Sequence, residues 1–132
     1  MKVEVRYYSR GGNTKALAEA IAKGVGIEAI SVVDENSKLA EKIDILFIGG
    51  ALYAYGLDNH LKKYLSELDA NNVGKAVVFS TSWISKHSLD LIRKALEQKG
   101  INVLEEVIYY KSMPKDNELK EAEEKAKNII NK

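Results

Sequence analysis

Ser9-Arg10-Gly11-Gly12-Asn13-Thr14 gathers hydroxyls, a guanidinium and paired glycines into one short run. Glycines let a backbone approach an anion with no Cβ in the way. Asn13 and Thr14 stand where the alanine-rich stretch that follows would begin a helix. The unpaired N–H groups and positive dipole end of such a helix favour a phosphate. Ser9 and Thr14 can donate hydroxyl bonds, and Arg10 a charge-assisted one. Read by itself, the run serves equally as a capped turn that binds nothing. It matches neither G-x-G-x-x-G nor G-x-x-x-x-G-K-S/T. Two further segments combine glycines, hydroxyls and rings: 49–56, with Tyr53 and Tyr55, and 80–87, with Ser80, Thr81, Ser82 and Trp83.

The elements that must position these segments follow from hydrophobic period. Val3-Glu4-Val5-Arg6-Tyr7 alternates as a strand does, and Leu17, Ala18, Ile21, Ala22 and Val25 form a helical stripe. Strands are expected at 29–33, 43–48, 76–79 and 103–108. Helices are expected through Leu39 and Ala40 (a short one), 57–68, 89–96, and from near Asp116 to Ile130. Five strands alternating with five helices predict an α/β domain: a doubly wound five-stranded parallel sheet, order 2-1-3-4-5, with helices on both faces. Ligands of such sheets bind beyond the carboxyl ends of the strands, where the winding reverses. That rule brings the loops after the first, third and fourth strands together. The loops after the second and fifth, 34–38 and 111–117, are mostly charged and lack aromatics.

Composition narrows the function classes. The 132 residues suit one domain, and 45% hydrophobic content supplies a core. Lys and Arg number 20 against 19 Asp and Glu, a net charge of +1. Neither disorder by charge excess nor general nucleic-acid binding fits that balance. With no cysteine and only His60 and His87, a metal centre is not expected. The longest uncharged stretch, Ile45 to Leu57, has 13 residues, short of the roughly 20 a membrane helix needs. Glu4 and Arg6 are unlike a signal peptide. The expectation is a cytoplasmic domain without nucleic-acid or membrane partners. No catalytic residue is assigned: Glu105 and Glu106 would point to opposite faces of a strand, and His60 reads as a solvated helix residue. Chemistry is therefore expected from a cofactor.

The three loops also carry a family likeness. SRGGNT resembles the phosphate loop of the flavodoxin family, S/T-x-S/T-G-N-T, with Ser9, Gly12, Asn13 and Thr14 matching and Gly11 replacing a hydroxyl. GGALYAYG is similar to the family's G-x-P-x-Y-x-G loop beside the flavin, Tyr53 matching its Tyr and Ala51 replacing its Pro. There is one more residue between Tyr53 and Gly56 than that pattern holds. STSW, 80–83, is similar to the T-x-W/Y region, with Trp83 as a stacking partner.

The resemblance implies FMN, bound by Ser9, Arg10, Gly11, Gly12, Asn13 and Thr14 at its phosphate. It implies further contacts from Gly50, Ala51, Leu52, Tyr53, Ala54, Tyr55 and Gly56, and from Ser80, Thr81, Ser82 and Trp83. The implied function is one-electron transfer between a reductase and an acceptor protein, by a monomer or weak dimer. The alternatives are a small FMN-dependent quinone-type reductase and a flavin-free binding module on the same fold. Family members are typically acidic, whereas Arg10, Lys15 and Lys86 lie near this site. The expectation is a less negative potential for the second reduction step, and partner docking less sensitive to salt.

Overall fold

The computed structural model describes residues 1–53, 56–82 and 86–132. In it the apolar runs pair as parallel strands: β1 (Val3–Tyr7), β2 (Ala29–Ser31), β3 (Ile43–Gly49), β6 (Val73–Ser80) and β7 (Val103–Tyr109). A short antiparallel hairpin, β4 (Leu52–Tyr53) and β5 (Gly56–Leu57), follows β3. The main sheet has the order β2-β1-β3-β6-β7, the expected 2-1-3-4-5 winding. Among the described residues the α-helices are α1 (Asn13–Val25), α2 (Asn59–Glu67), α3 (His87–Gln98) and α4 (Asp116–Ile130), and a 3-10 turn spans Ala70–Asn72.

The register shows why the central strand is apolar almost throughout. Val5 pairs with Phe47, and Phe47 with Val77. Ile45 and Phe47 face a core closed by Leu17 and Ile21 of α1 and Ala122 and Ala126 of α4. Leu46 and Ile48, one residue out of phase, face a second core closed by Leu61 and Leu65 of α2 and Ile92 and Leu96 of α3. Both faces of β3 are thus removed from water. Helices α1 and α4 approach closely at Gly24, where a Cβ would lie 2.4 Å from the carbonyl oxygen of Glu123.

The short helix expected through Leu39 and Ala40 does not form; that segment is turns and bends. A buried arginine explains the difference. Arg6 of β1 is 3% exposed, and its Nε donates to the carbonyl of Ser37 at 2.7 Å. The Tyr64 hydroxyl donates to the same carbonyl. The Ser37 hydroxyl bonds back to Val32, and Glu4 pairs with the Arg6 guanidinium at 2.9 Å. A guanidinium out of water needs acceptors. Helical hydrogen bonds would have consumed carbonyls that the irregular backbone leaves free.

Candidate functional site

β1 delivers the chain to its carboxyl end at Tyr7, and α1 begins at Asn13. Gly12 is the residue before the helix, with φ 96° and ψ −9° in the left-handed region, where a side chain would be strained. No side chain caps this helix and no acid stands in its first turn. The Gly12 N–H donates to Ser9 Oγ at 3.0 Å. A Cβ built on Gly11 would meet nothing within 4 Å, so packing does not demand glycine there. Thr14 is 1% exposed, its hydroxyl 2.7 Å from that of Thr81. That bond uses one of the two hydroxyl protons, leaving the other for a ligand.

Arg10 is engaged across the cleft. Its N–H donates to the Tyr53 hydroxyl at 3.0 Å, and its guanidinium lies 4.0 Å from the centre of the Tyr53 ring. Its Nε and terminal nitrogen both reach Asp58 Oδ2, at 3.0 and 2.6 Å. Asp58 Oδ1 accepts the His60 N–H at 2.7 Å, capping α2, and lies 2.8 Å from His60 Nδ1. The His60 ring in turn stacks on Tyr8 at 5.0 Å. Burial pushes the Asp58 carboxyl up, but the bonds from Arg10 and His60 outweigh it and hold the group below its ordinary range. The same bond raises Arg10. Arg10, read from sequence as a phosphate ligand, therefore has its charge balanced by Asp58, and it covers one face of Tyr53.

The third loop rests on a ladder of buried hydroxyls. Ser80 and Ser88 lie 2.6 Å apart, and Ser82 donates to Ser88 at 3.0 Å. Ser82 Oγ also accepts the N–H of Leu52 at 2.8 Å, joining the second loop to the third. The Tyr109 hydroxyl donates to the Ser82 carbonyl. Sequence reasoning missed Ser88, Tyr109 and the role of Asp58. Only Asp58 carried a signal, an acidic residue just before a helical stripe, where caps stand.

The three loops enclose a cavity of about 190 Å³ lined by Ser9, Gly11, Asn13, Thr14, Ala51, Leu52, Tyr53, Thr81 and Ser82. Most of the residues singled out from sequence thus converge. Ser80 lies behind this lining, fully buried. Gly50 is buried and outside the lining, packed so that a Cβ would be 2.5 Å from Leu61 Cδ2. Gly56 opens instead on a groove between α2 and α3. Ala54, Tyr55 and Trp83 lie outside the described residues. Among those described, no cluster of His, Cys, Asp or Glu can hold a metal, and no helix is long and apolar enough to cross a membrane.

Comparison with known proteins bears on the family and the fold. The profile of the flavodoxin domain family matches residues 5–111. A solved flavodoxin from the domain Archaea is similar at 27% identity and TM-score 0.87, over 99% of this chain and 97% of that one. Oxidised Flavodoxin 1 from Bacillus cereus shares the fold at 19% identity and TM-score 0.79, over 99% and 98%. Rubredoxin oxygen:oxidoreductase from Desulfovibrio gigas shares it at 15% identity and TM-score 0.82, over 98% of this chain but 35% of that one. No curated protein sequence matches.

Proposed function

The chain belongs to the flavodoxin domain family, and on that premise we propose that it binds FMN and carries single electrons between a reductase and an acceptor protein. The observation that carries this reading is the amino end of α1, uncapped, free of acids, and opening through Gly11 and Gly12 into a cavity ringed by hydroxyls. The donor set there, backbone N–H groups with Ser9, Thr14 and Thr81, suits a phosphate.

The roles of the residues follow from what each can donate or cover. The N–H groups of Asn13 and Thr14 hold the anionic tail, with the helix dipole behind them. Ser9, by accepting from Gly12, ties down the loop just before those N–H groups. Tyr53 offers its remaining face to a flat ring, and Arg10 and Asp58 keep it from turning. When bound, the flavin supplies reversible one-electron chemistry. At about 190 Å³ the cavity is smaller than the roughly 300–1,000 Å³ of whole small-molecule sites, so it suits the phosphate end with the ring at the rim.

The test is titration of apoprotein with FMN, followed by flavin fluorescence and by the visible spectrum after desalting. Quenching and retained flavin bands are expected. Free fluorescence at saturating protein would leave the flavin-free module as the reading. An NADPH or NADH consumption assay on flavin-loaded protein should be silent. Turnover without an added reductase would make the protein a reductase in its own right.

A further inference from the structure

A second, larger cavity lies outside the cleft. It is a groove of about 570 Å³ between α2 and α3, floored by Leu57, Leu65, Leu91 and Ala95. Its rim carries Lys62, Lys94 and Lys99, and no carboxylate lines it among the described residues. The exposed acids of the same helices, Glu67, Asp90 and Glu97, fall outside the lining. Lys99 donates to the Ser66 carbonyl at 2.8 Å, beside the end of α2. Lys62 and Lys94 make no ion pair among the described residues. In a chain whose charges nearly cancel, this is a local excess of positive charge around an apolar floor.

We propose that this groove seats an acidic amphipathic helix of a redox partner. The lining repeats at helical spacing on both walls, 62, 65 and 66 on α2 and 91, 94, 95 and 98 on α3, which leaves a trough for the apolar ridge of a third helix. Carboxylates flanking that ridge would meet Lys62 and Lys94, and opposite charge steers such an encounter. Gly56 lines the head of the groove and belongs to the second loop, so a helix lying there stands beside the cofactor's loop. That the owner of the helix is a redox partner rests on the electron-carrier reading; the polarity of the groove does not.

The experiment uses FMN-loaded, ¹⁵N-labelled protein and a synthetic helical peptide of about 15 residues, long enough to hold helix on a surface. Leu occupies one face and Glu the rest; a second peptide carries Lys for Glu, and dodecanoate is a third probe. The Leu/Glu peptide is expected to shift the amides of Leu57, Leu65, Leu91 and Ala95, while the Leu/Lys peptide does not. The double substitution Lys62→Glu and Lys94→Glu should weaken binding about tenfold or more, and Lys62→Gln with Lys94→Gln by less. Far-UV circular dichroism checks that these exposed positions tolerate the change. Equal binding of the two peptides, shifts elsewhere, or indifference to charge reversal would reduce the lysines to stems covering apolar surface. Binding of dodecanoate without the peptide would make the site one for a small amphipathic anion and overturn the proposal. Repeating the titration on apoprotein separates the two readings, because the groove amides report whether or not FMN binds.

Discussion

Two helices begin within reach of one loop and meet the same physical problem differently. The first N–H groups of any helix lack partners within it. At α2 the chain closes them itself: Asp58 caps the helix through the His60 N–H, and its other oxygen takes the Arg10 guanidinium. At α4, Glu118 reaches back to the N–H of Lys115 in a capping box. At α1 nothing of this kind occurs; Gly12 offers no side chain and the first turn has no acid. Arg10 sharpens the contrast, since it belongs to the open loop yet is drawn to the closed one. An amino end closed by a carboxylate serves stability, and the open one at the cavity is the end that the proposed function assigns to a ligand with its own negative charge.

The contrast is broken by closing the open end. Gly11 is not in the left-handed region, and its Cβ would enter empty space in front of α1. Gly11→Asp should therefore fold. Its carboxylate, near the dipole's positive end, should stabilise the apoprotein by about 0.5–1 kcal/mol in chemical denaturation. The same charge should repel a phosphate and lower FMN affinity by about 100-fold or more, on the order of 2.7 kcal/mol. Wild-type affinity in this variant would show that the open end is not where the anion binds.

Much of this arrangement is legible in the chain itself, for identifiable reasons. Period-2 and period-3.6 patterns are local, so the strands, α1 and the order of the sheet can be read from neighbours in sequence. The loops that face the cleft follow from that order. What escapes is set by partners far away in the chain. Arg6 and Ser37 are 31 residues apart, and their bond replaces the helix expected near Leu39. Arg10 and Asp58 are 48 apart, and their bond balances a charge that the sequence pattern alone leaves unpaired. Among the described residues β4 and β5 pair Leu52 with Leu57 and Tyr53 with Gly56, too little for periodicity to register.

The closed end is tested by removing its charge and keeping its shape. Asp58→Asn retains an oxygen for the cap but loses the ion pair with Arg10. Arg10 is 55% exposed, so water screens the pair, and the expected loss in chemical denaturation is small. The sign of the pH dependence follows from the depressed carboxyl. The native state binds this proton less tightly than the unfolded chain, whose ordinary value is about 3.9. The stabilisation is complete above that value and disappears as pH falls through the lower folded one. Stability measured against pH should therefore fall less steeply in acid for Asp58→Asn than for the wild type. Parallel curves would mean that the closure owes little to charge.

The smallest effect refines the open end. The flavodoxin pattern places a hydroxyl where this chain has Gly11. Gly11→Ser meets no steric obstacle, since a Cβ there touches nothing within 4 Å and the backbone is not left-handed. It also removes freedom from the unfolded chain, which favours folding by about 0.4–1 kcal/mol. The added hydroxyl faces a cavity whose donors are otherwise backbone N–H groups, Ser9, Thr14 and Thr81. One more donor to a phosphate contributes about 1 kcal/mol net, or about fivefold in the dissociation constant read by fluorescence quenching. A gain here together with a loss in Gly11→Asp brings the phosphate held by the N–H groups of Asn13 and Thr14 within reach of residue 11 as well, because the two variants share a position and differ only in what they offer an anion. An unchanged constant in Gly11→Ser beside a loss in Gly11→Asp would mean that an anion held at the N–H groups of Asn13 and Thr14 feels the new charge but lies beyond reach of the new hydroxyl.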